Sequence, residues 1–256
     1  MSPLLITVLI VAGIVVLGLI AFINHSLEAG KLERARQKAE LTDRIRRCSN
    51  LSESMPGQFM TPPLKQLLNR LEMQLSINLN KVDRSNPQLS GRIQDLRTQI
   101  AMGEAVPIRN PAQPVQNEAQ AKEVRFQLEA LHAILSHAQQ EALLPPQEAK
   151  QWAGEIRHML VMLHCEFFNN QGQQNLQQGQ ARQARLAFER GVQYLRKQPD
   201  IKRYEQQLKQ LETQLARANA MVLETAQPVA DEPSELGEGL KTLDEEDTWK
   251  KKNIYD

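Results

Sequence analysis

The pattern of apolar positions changes character several times along this chain. From Leu4 to Ile23 it is one continuous run without a charged residue. About 20 such residues suffice to cross the hydrocarbon core of a bilayer as a helix, and a helix satisfies its own backbone groups there. The run predicts a transmembrane helix over 4–23. Residues 27–48 alternate charges of both signs and predict a charged juxtamembrane helix. Pro56-Gly57 and Pro62-Pro63 predict a break between Ser49 and Pro63.

Helical spacing resumes at residue 63. Thr61 is a candidate cap, and Leu64, Leu68, Leu71 and Leu75 follow at steps of four, three and four. Asn86-Pro87 opens a second element with Leu89, Ile93, Leu96 and Ile100 at the same spacing, and Gly103 is a plausible stop. Together, 63–103 predict a helical hairpin. Pro107, Pro111 and Pro114 make 104–117 a linker. A helical domain is expected over 118–224. Val124, Leu128, Leu131 and Leu135 mark one helix, and Pro145-Pro146 opens the next, through Trp152, Ile156, Leu160, Leu163 and Phe167. After Pro199-Asp200, the residues Ile201, Tyr204, Leu208, Leu211, Leu215, Ala218 and Val222 form a heptad seam. A lone helix of that length is marginal in water, so the seam must be buried, either on the preceding hairpin or on a second copy. Tyr204, Leu208, Leu211 and Leu215 are the candidate self-association residues. From Thr225 the pattern stops, and 225–256 predict a disordered acidic tail. No stretch reads as a strand. The expected fold class is all-α: a single N-terminal transmembrane helix, helical hairpins with coiled coil, and a disordered tail.

The flanks of the apolar run decide its expected orientation. Nothing basic precedes it, whereas Lys31, Arg34, Arg36, Lys38, Arg44, Arg46 and Arg47 follow. The positive-inside rule then places the N-terminus outside and the body in the cytoplasm, at the plasma (inner) membrane if the protein is bacterial. A cleaved signal peptide would have a basic start, a shorter apolar run and a small-residue cleavage site, and Met1-Ser2-Pro3 and Ala21-Phe22-Ile23 supply none of these.

Within the helical domain, Phe168, Gly172, Gly179, Ala184, Phe188 and Gly191 stand at the offsets of large residues, small residues and the turn in a tetratricopeptide unit. Residues 168–191 resemble one such unit. The resemblance implies a helix-turn-helix able to bind a partner peptide. Gln171 and Asn175 depart from it, standing where Leu and Tyr are usual, and Pro199 lies three residues past the usual proline. No second unit is visible.

Composition adds that aromatics make up only 4% and net charge is +1, so helices rather than a field attracting polyanions dominate the picture. The two cysteines, Cys48 and Cys165, lack metal-type spacing and fit lone thiols of a reducing compartment. His132 and His137, and His158 and His164, are spaced five and six apart, which does not place two rings on one helix face. No nucleotide, dinucleotide or zinc-protease motif occurs. No catalytic, cofactor-binding or metal-binding residue is therefore assigned, and no cofactor is expected. A basic cluster at Arg182, Arg185, Arg190, Arg196, Lys197, Lys202 and Arg203 has only Tyr194 and Tyr204 beside it for stacking, which reads as a solvated face ahead of a nucleic-acid site, with an intramolecular contact to the acidic tail as a third option.

The function expected from these patterns is a non-enzymatic, membrane-anchored adaptor or scaffold. Its partners would be other proteins, the bilayer through residues 4–23, and a second copy of the chain. The alternative is a membrane-tethered, nucleic-acid-associated protein using the basic helix around 182–203. In the tail, Trp249, Ile254 and Tyr255 beside Lys250, Lys251 and Lys252 form a candidate docking peptide, because Trp and Tyr commonly carry interface energy and lysines steer to acidic surfaces.

Overall fold

Helices in the middle of the chain start where the sequence offers a cap. The Thr61 side chain accepts a hydrogen bond from the Leu64 amide, Asn86 accepts from the Gln88 amide, and Asn117 and Gln120 form a reciprocal capping box. In the computed structural model, residues 3–84 and 86–226 are described; side chains of 3–21, 23, 24, 26, 27, 29, 225 and 226 are not among what is described. The helices are α1 (Pro3–Ser54), α2 (Pro62–Val82), α3 (Pro87–Ala101), α4 (Glu118–Gln140), α5 (Pro146–Gln177), α6 (Ala181–Arg196) and α7 (Glu205–Ala226), with short 3-10 turns at Gly103–Ala105 and Ile201–Tyr204. The fold is all-α, and no strand occurs among the described residues. The chain forms two compact units, Met1–Phe167 and Phe168–Asp256.

In the first unit α2 is the central element. Its Leu64, Leu67, Leu68 and Leu71 join Val124, Leu128, Leu131 and Leu135 of α4 and Ile156, Met159 and Leu163 of α5 in one core. Leu51, Met55, Phe59 and Met60, at and beyond the end of α1, complete that core. A smaller cluster holds Leu79, Leu89 and Ile93, with Leu41 and Ile45 of α1 against them. A second stripe on α2 is polar. Lys65, Asn69, Glu72 and Ser76 repeat at steps of four, three and four, and the last three are buried. Each of the first three has a partner on α1 or α3: Lys65 Nζ donates to Ser52 Oγ at 2.6 Å, Asn69 Nδ2 donates to Gln99 Oε1 at 3.1 Å, and Glu72 accepts from Arg92 Nε at 2.7 Å. Most buried polar groups are partnered in this way; Ser76 Oγ is the exception on this stripe, buried without a hydrogen bond among the described residues.

The first helix continues to Ser54, past the break expected at Ser49. It stops just before Pro56-Gly57, and the proline-rich stretch after α3 closes its end. Asn110 Nδ2 lies within hydrogen-bond distance of the Ser52, Glu53 and Met55 carbonyls, at 3.1, 3.1 and 2.8 Å. These are acceptors a helix terminus leaves open. The Gly57 amide donates to the Pro111 carbonyl at 2.9 Å, and Gln58 and Gln113 bond reciprocally. Val106 and Val115 are buried. This stretch is therefore a strap fixed to the end of α1. A Cβ on Gly57 would press into the Asn110 carbonyl oxygen, a backbone atom that cannot swing aside. Gly57→Ala and Asn110→Ala should each lower stability by about 1–3 kcal/mol, the range for an unmade buried hydrogen bond or an overpacked contact. Urea unfolding of the full chain checks this, and a loss below about 0.5 kcal/mol for both would mean the strap is only laid on the surface.

The membrane anchor requires a correction. Among the described residues no helix is long and apolar enough to cross a membrane. On that finding the transmembrane helix, the single-pass localisation with an outside N-terminus and cytoplasmic body, and the bilayer contact through residues 4–23 are withdrawn. The apolar run has helical backbone within α1, and of its side chains only Phe22 is described, and it is exposed. From Gly30 onward α1 carries charge on every turn until it enters the bundle, which no lipid-spanning helix could do. Of the expected tail, Thr225 and Ala226 belong to α7, and residues 227–256 lie outside the described residues.

In the second unit, the last turns of α5 pair with α6 across Gly179, whose φ of +72° suits a residue without a side chain. Gly172 faces the Phe188 ring, so that a Cβ there would sit 2.7 Å from Cδ1 and closer still to Cε1. Gly191 faces Phe168 Cβ and Leu211 Cδ1 at 3.1 and 3.0 Å, measured from an ideal Cβ. The small residues thus let helices approach and the two phenylalanines fill the space between them. The hairpin that resembles a tetratricopeptide unit is built on this contact.

Candidate functional site

A groove runs between α1 and α4 in the first unit. Its volume is about 550 Å³. Leu51 of α1, Leu71 and Leu75 of α2, and Ile134, Ala138 and Leu143 from α4 and the turn after it give it an apolar floor. On the α4 wall stand Phe126, Ala130 and Ala133, all exposed, with the Phe126 ring 64% accessible. That is a large exposed ring beside a cleft, and apolar surface of that kind marks interaction sites more often than chance.

The rim is charged. Arg47 Nη2 pairs with Asp43 at 2.8 Å along α1, and Arg44 forks onto both carboxylate oxygens of Glu141, the second at 2.7 Å. The hydrogen bonds it donates to Glu141 hold the Arg44 guanidinium above its ordinary value, against the opposing effect of burial. The remaining rim carboxylates, Glu40 and Glu123, make no ion pair among the described residues. With both rim arginines matched, the groove presents a net acidic edge.

Cys48 lines the back of the groove at 1% exposure. Burial, with Glu72 adding to it and Arg44 opposing, pushes its thiol up to about 12. Burial alone does the same to Cys165 on α5, also to about 12. A thiol reacts as thiolate, so both are inert in the folded chain at neutral pH. Both are free. The sign follows from linkage: an acid whose folded pKa is raised stabilises the fold fully below its unfolded value, near 9.0, and the contribution is lost as pH climbs toward 12. Iodoacetamide should leave Cys48 and Cys165 unmodified at pH 8 and label both in urea, and the urea midpoint should fall steadily above pH 9. Rapid native labelling of Cys48 would show that the groove floor opens.

No protein-family model, curated protein or solved structure matches this chain.

The residues singled out from sequence are dispersed. On the second unit, Tyr204 and Leu211 are buried, while Leu208 and Leu215 are half-buried, so the seam is turned largely into its own unit. Leu211 packs on Gly191 of α6, and Arg196 pairs with Glu212 at 2.6 Å across the same helix pair. Ile201 sits in the 3-10 turn, exposed, and not in α7. The cations Arg182, Arg185, Arg190, Arg196, Lys197, Lys202 and Arg203 are all exposed, whereas Tyr204 is buried and the Tyr194 ring lies 6.4 Å from that of Phe168. Of the histidines, His164 Nδ1 lies 2.7 Å from the Leu160 carbonyl, and no group of three or more potential metal ligands forms among the described residues. Trp249, Lys250, Lys251, Lys252, Ile254 and Tyr255 lie outside the described residues.

The groove itself escaped the sequence pattern, although a signal was present. Phe126, Ala130, Ala133 and His137 repeat at steps of four, three and four, two positions after Val124, Leu128, Leu131 and Leu135, and so lie on the side of α4 turned away from its core stripe. A large ring and small side chains recurring on the side of a helix away from its core stripe give that side an apolar surface of its own.

Proposed function

We propose that the chain is a non-enzymatic helical adaptor whose α1/α4 groove receives an amphipathic helix of a partner protein. The observation that carries this is the apolar-floored groove with the exposed Phe126 and the small side chains Ala130 and Ala133 on its wall. Small residues let a guest helix approach closely, and an aromatic wall supplies an anchor of the kind that dominates interface energy. Helix-in-groove recognition needs apolar guest residues at i, i+3 or i+4, and i+7. The unpaired Glu40 and Glu123 favour a guest with basic residues flanking that stripe.

The test is selection of helical peptides from a random library against the full chain. Enriched peptides should show the i, i+3/i+4, i+7 apolar stripe with basic flanks. Phe126→Ala and Ala130→Glu, both at exposed positions, should weaken them at least about tenfold without changing helix content. Enrichment of no common pattern, or binding indifferent to both substitutions, would sink the proposal.

A further inference from the structure

On α6 of the second unit, Arg182, Arg185, Arg190 and Lys197 are exposed and make no ion pair among the described residues. They run along the outer surface of one helix for about 22 Å at 1.5 Å per residue. The acid on that side, Glu189, accepts a hydrogen bond from Gln193 at 3.3 Å. Beyond α7, residues 231–247 hold eight acidic residues and a single lysine, Lys241.

The path of α7 brings these two features together. Its short connection to α6 makes the pair antiparallel, and the contacts of Leu211 with Gly191 and of Glu212 with Arg196 fix its near end beside the C-terminal half of α6. The far end of α7, Ala226, therefore returns to about the level where α6 begins. Four residues, 227–230, separate Ala226 from Asp231, and the five Cα steps reach up to about 17 Å. The acidic stretch is then long enough to follow α6 over its whole length.

We propose that residues 231–247 lie along the basic face of α6 in the same chain and shield it from other polyanions. Each exposed ion pair contributes little by itself. Tethering makes the contact intramolecular, so several weak pairs act at a high effective concentration. The contact is strongest at low salt and is screened as ionic strength rises. It goes beyond the groove of the first unit and does not depend on it.

Two measurements on the full chain test this. Zero-length carbodiimide coupling at low salt should join Lys197 to acids within 231–247, and mixing isotopically light and heavy chains should show the coupled peptides to be of one label. In a second full-length variant, the eight acids are replaced by Asn and Gln. Its affinity for heparin should rise about tenfold, as expected where a competing segment covers the face nine-tenths of the time. The rise should vanish when Arg182, Arg185 and Arg190 are also replaced by Ser. Failure to couple Lys197 to that stretch, coupling only between chains, an unchanged heparin affinity, or a rise that survives the arginine substitutions would each overturn the proposal.

Discussion

Replacing Arg92 with Ala should destabilise the first unit by about 1–3 kcal/mol, the range for leaving a buried acceptor without its partner, since Glu72 is buried while the Arg92 side chain is 39% exposed. Glu72 is 2% exposed on the central helix, and Arg92 Nε of α3 donates to its Oε1 at 2.7 Å. The same bond holds the Arg92 guanidinium above its ordinary value. Arg92 also reaches toward Ser49 Oγ of α1 at 3.5 Å, so the pair ties three helices at one point. Lys65 of α2, which also feels the Glu72 charge, cannot stand in for Arg92, because it is committed to Ser52 and is held below its ordinary value chiefly by burial. The double variant Glu72→Met, Arg92→Met should recover most of the loss, because apolar groups of similar volume replace a buried pair at little net cost. Urea unfolding followed by Trp152, in a Trp249→Phe background, reads the first unit. An Arg92→Ala loss under about 1 kcal/mol would place the pair among ordinary surface contacts.

Much of the helix layout was legible because caps and periodicity act locally. Thr61, Asn86 and Asn117 start helices by bonding amides within the next turn, and the leucine stripes of α2 and α4 face the core they predict. Features that depend on distant partners were not legible. Asn110 closes α1 from more than fifty residues away, so its proline-rich surroundings read as a linker although they are a fixed strap. The polar stripe Lys65, Asn69, Glu72 and Ser76 has the spacing of a solvated face, and only its partners on α1 and α3 show that it is an interior seam. The expected break at Ser49 failed for a related reason. Ser52 is polar yet buried at 3%, and the core residues Leu51 and Met55 hold that turn in place, so tertiary packing overrode local composition. The candidate groove needs two helices about eighty residues apart, and one sequence contains no statement of which helices are neighbours.

A single substitution made twice on α5 should give opposite signs. Gly154 and Gly172 both lie inside this helix, which runs from Pro146 to Gln177. A Cβ on Gly154 would meet nothing within 4 Å. Gly154→Ala should therefore stabilise the first unit by about 0.5–1 kcal/mol, the ordinary gain from removing backbone freedom in a helix. Gly172→Ala gains the same helix propensity in the second unit but drives its Cβ into the Phe188 ring. Phe188 is fully buried, so the ring has no free space to move into. Overpacking of this kind costs about 1–3 kcal/mol and should outweigh the propensity gain. Phe188→Ala should itself cost about 3–5 kcal/mol, and it empties the space the new methyl needs. In that background Gly172→Ala should change sign and become stabilising. Amide exchange over residues 147–165 and 181–195 reads the two units separately. If Gly172→Ala stabilises the second unit as Gly154→Ala does the first, the Gly172–Phe188 contact is loose and the hairpin is not built on close helix approach. If instead the penalty persists unchanged in the Phe188→Ala background, the obstacle lies in the backbone of α5 itself and not in the ring.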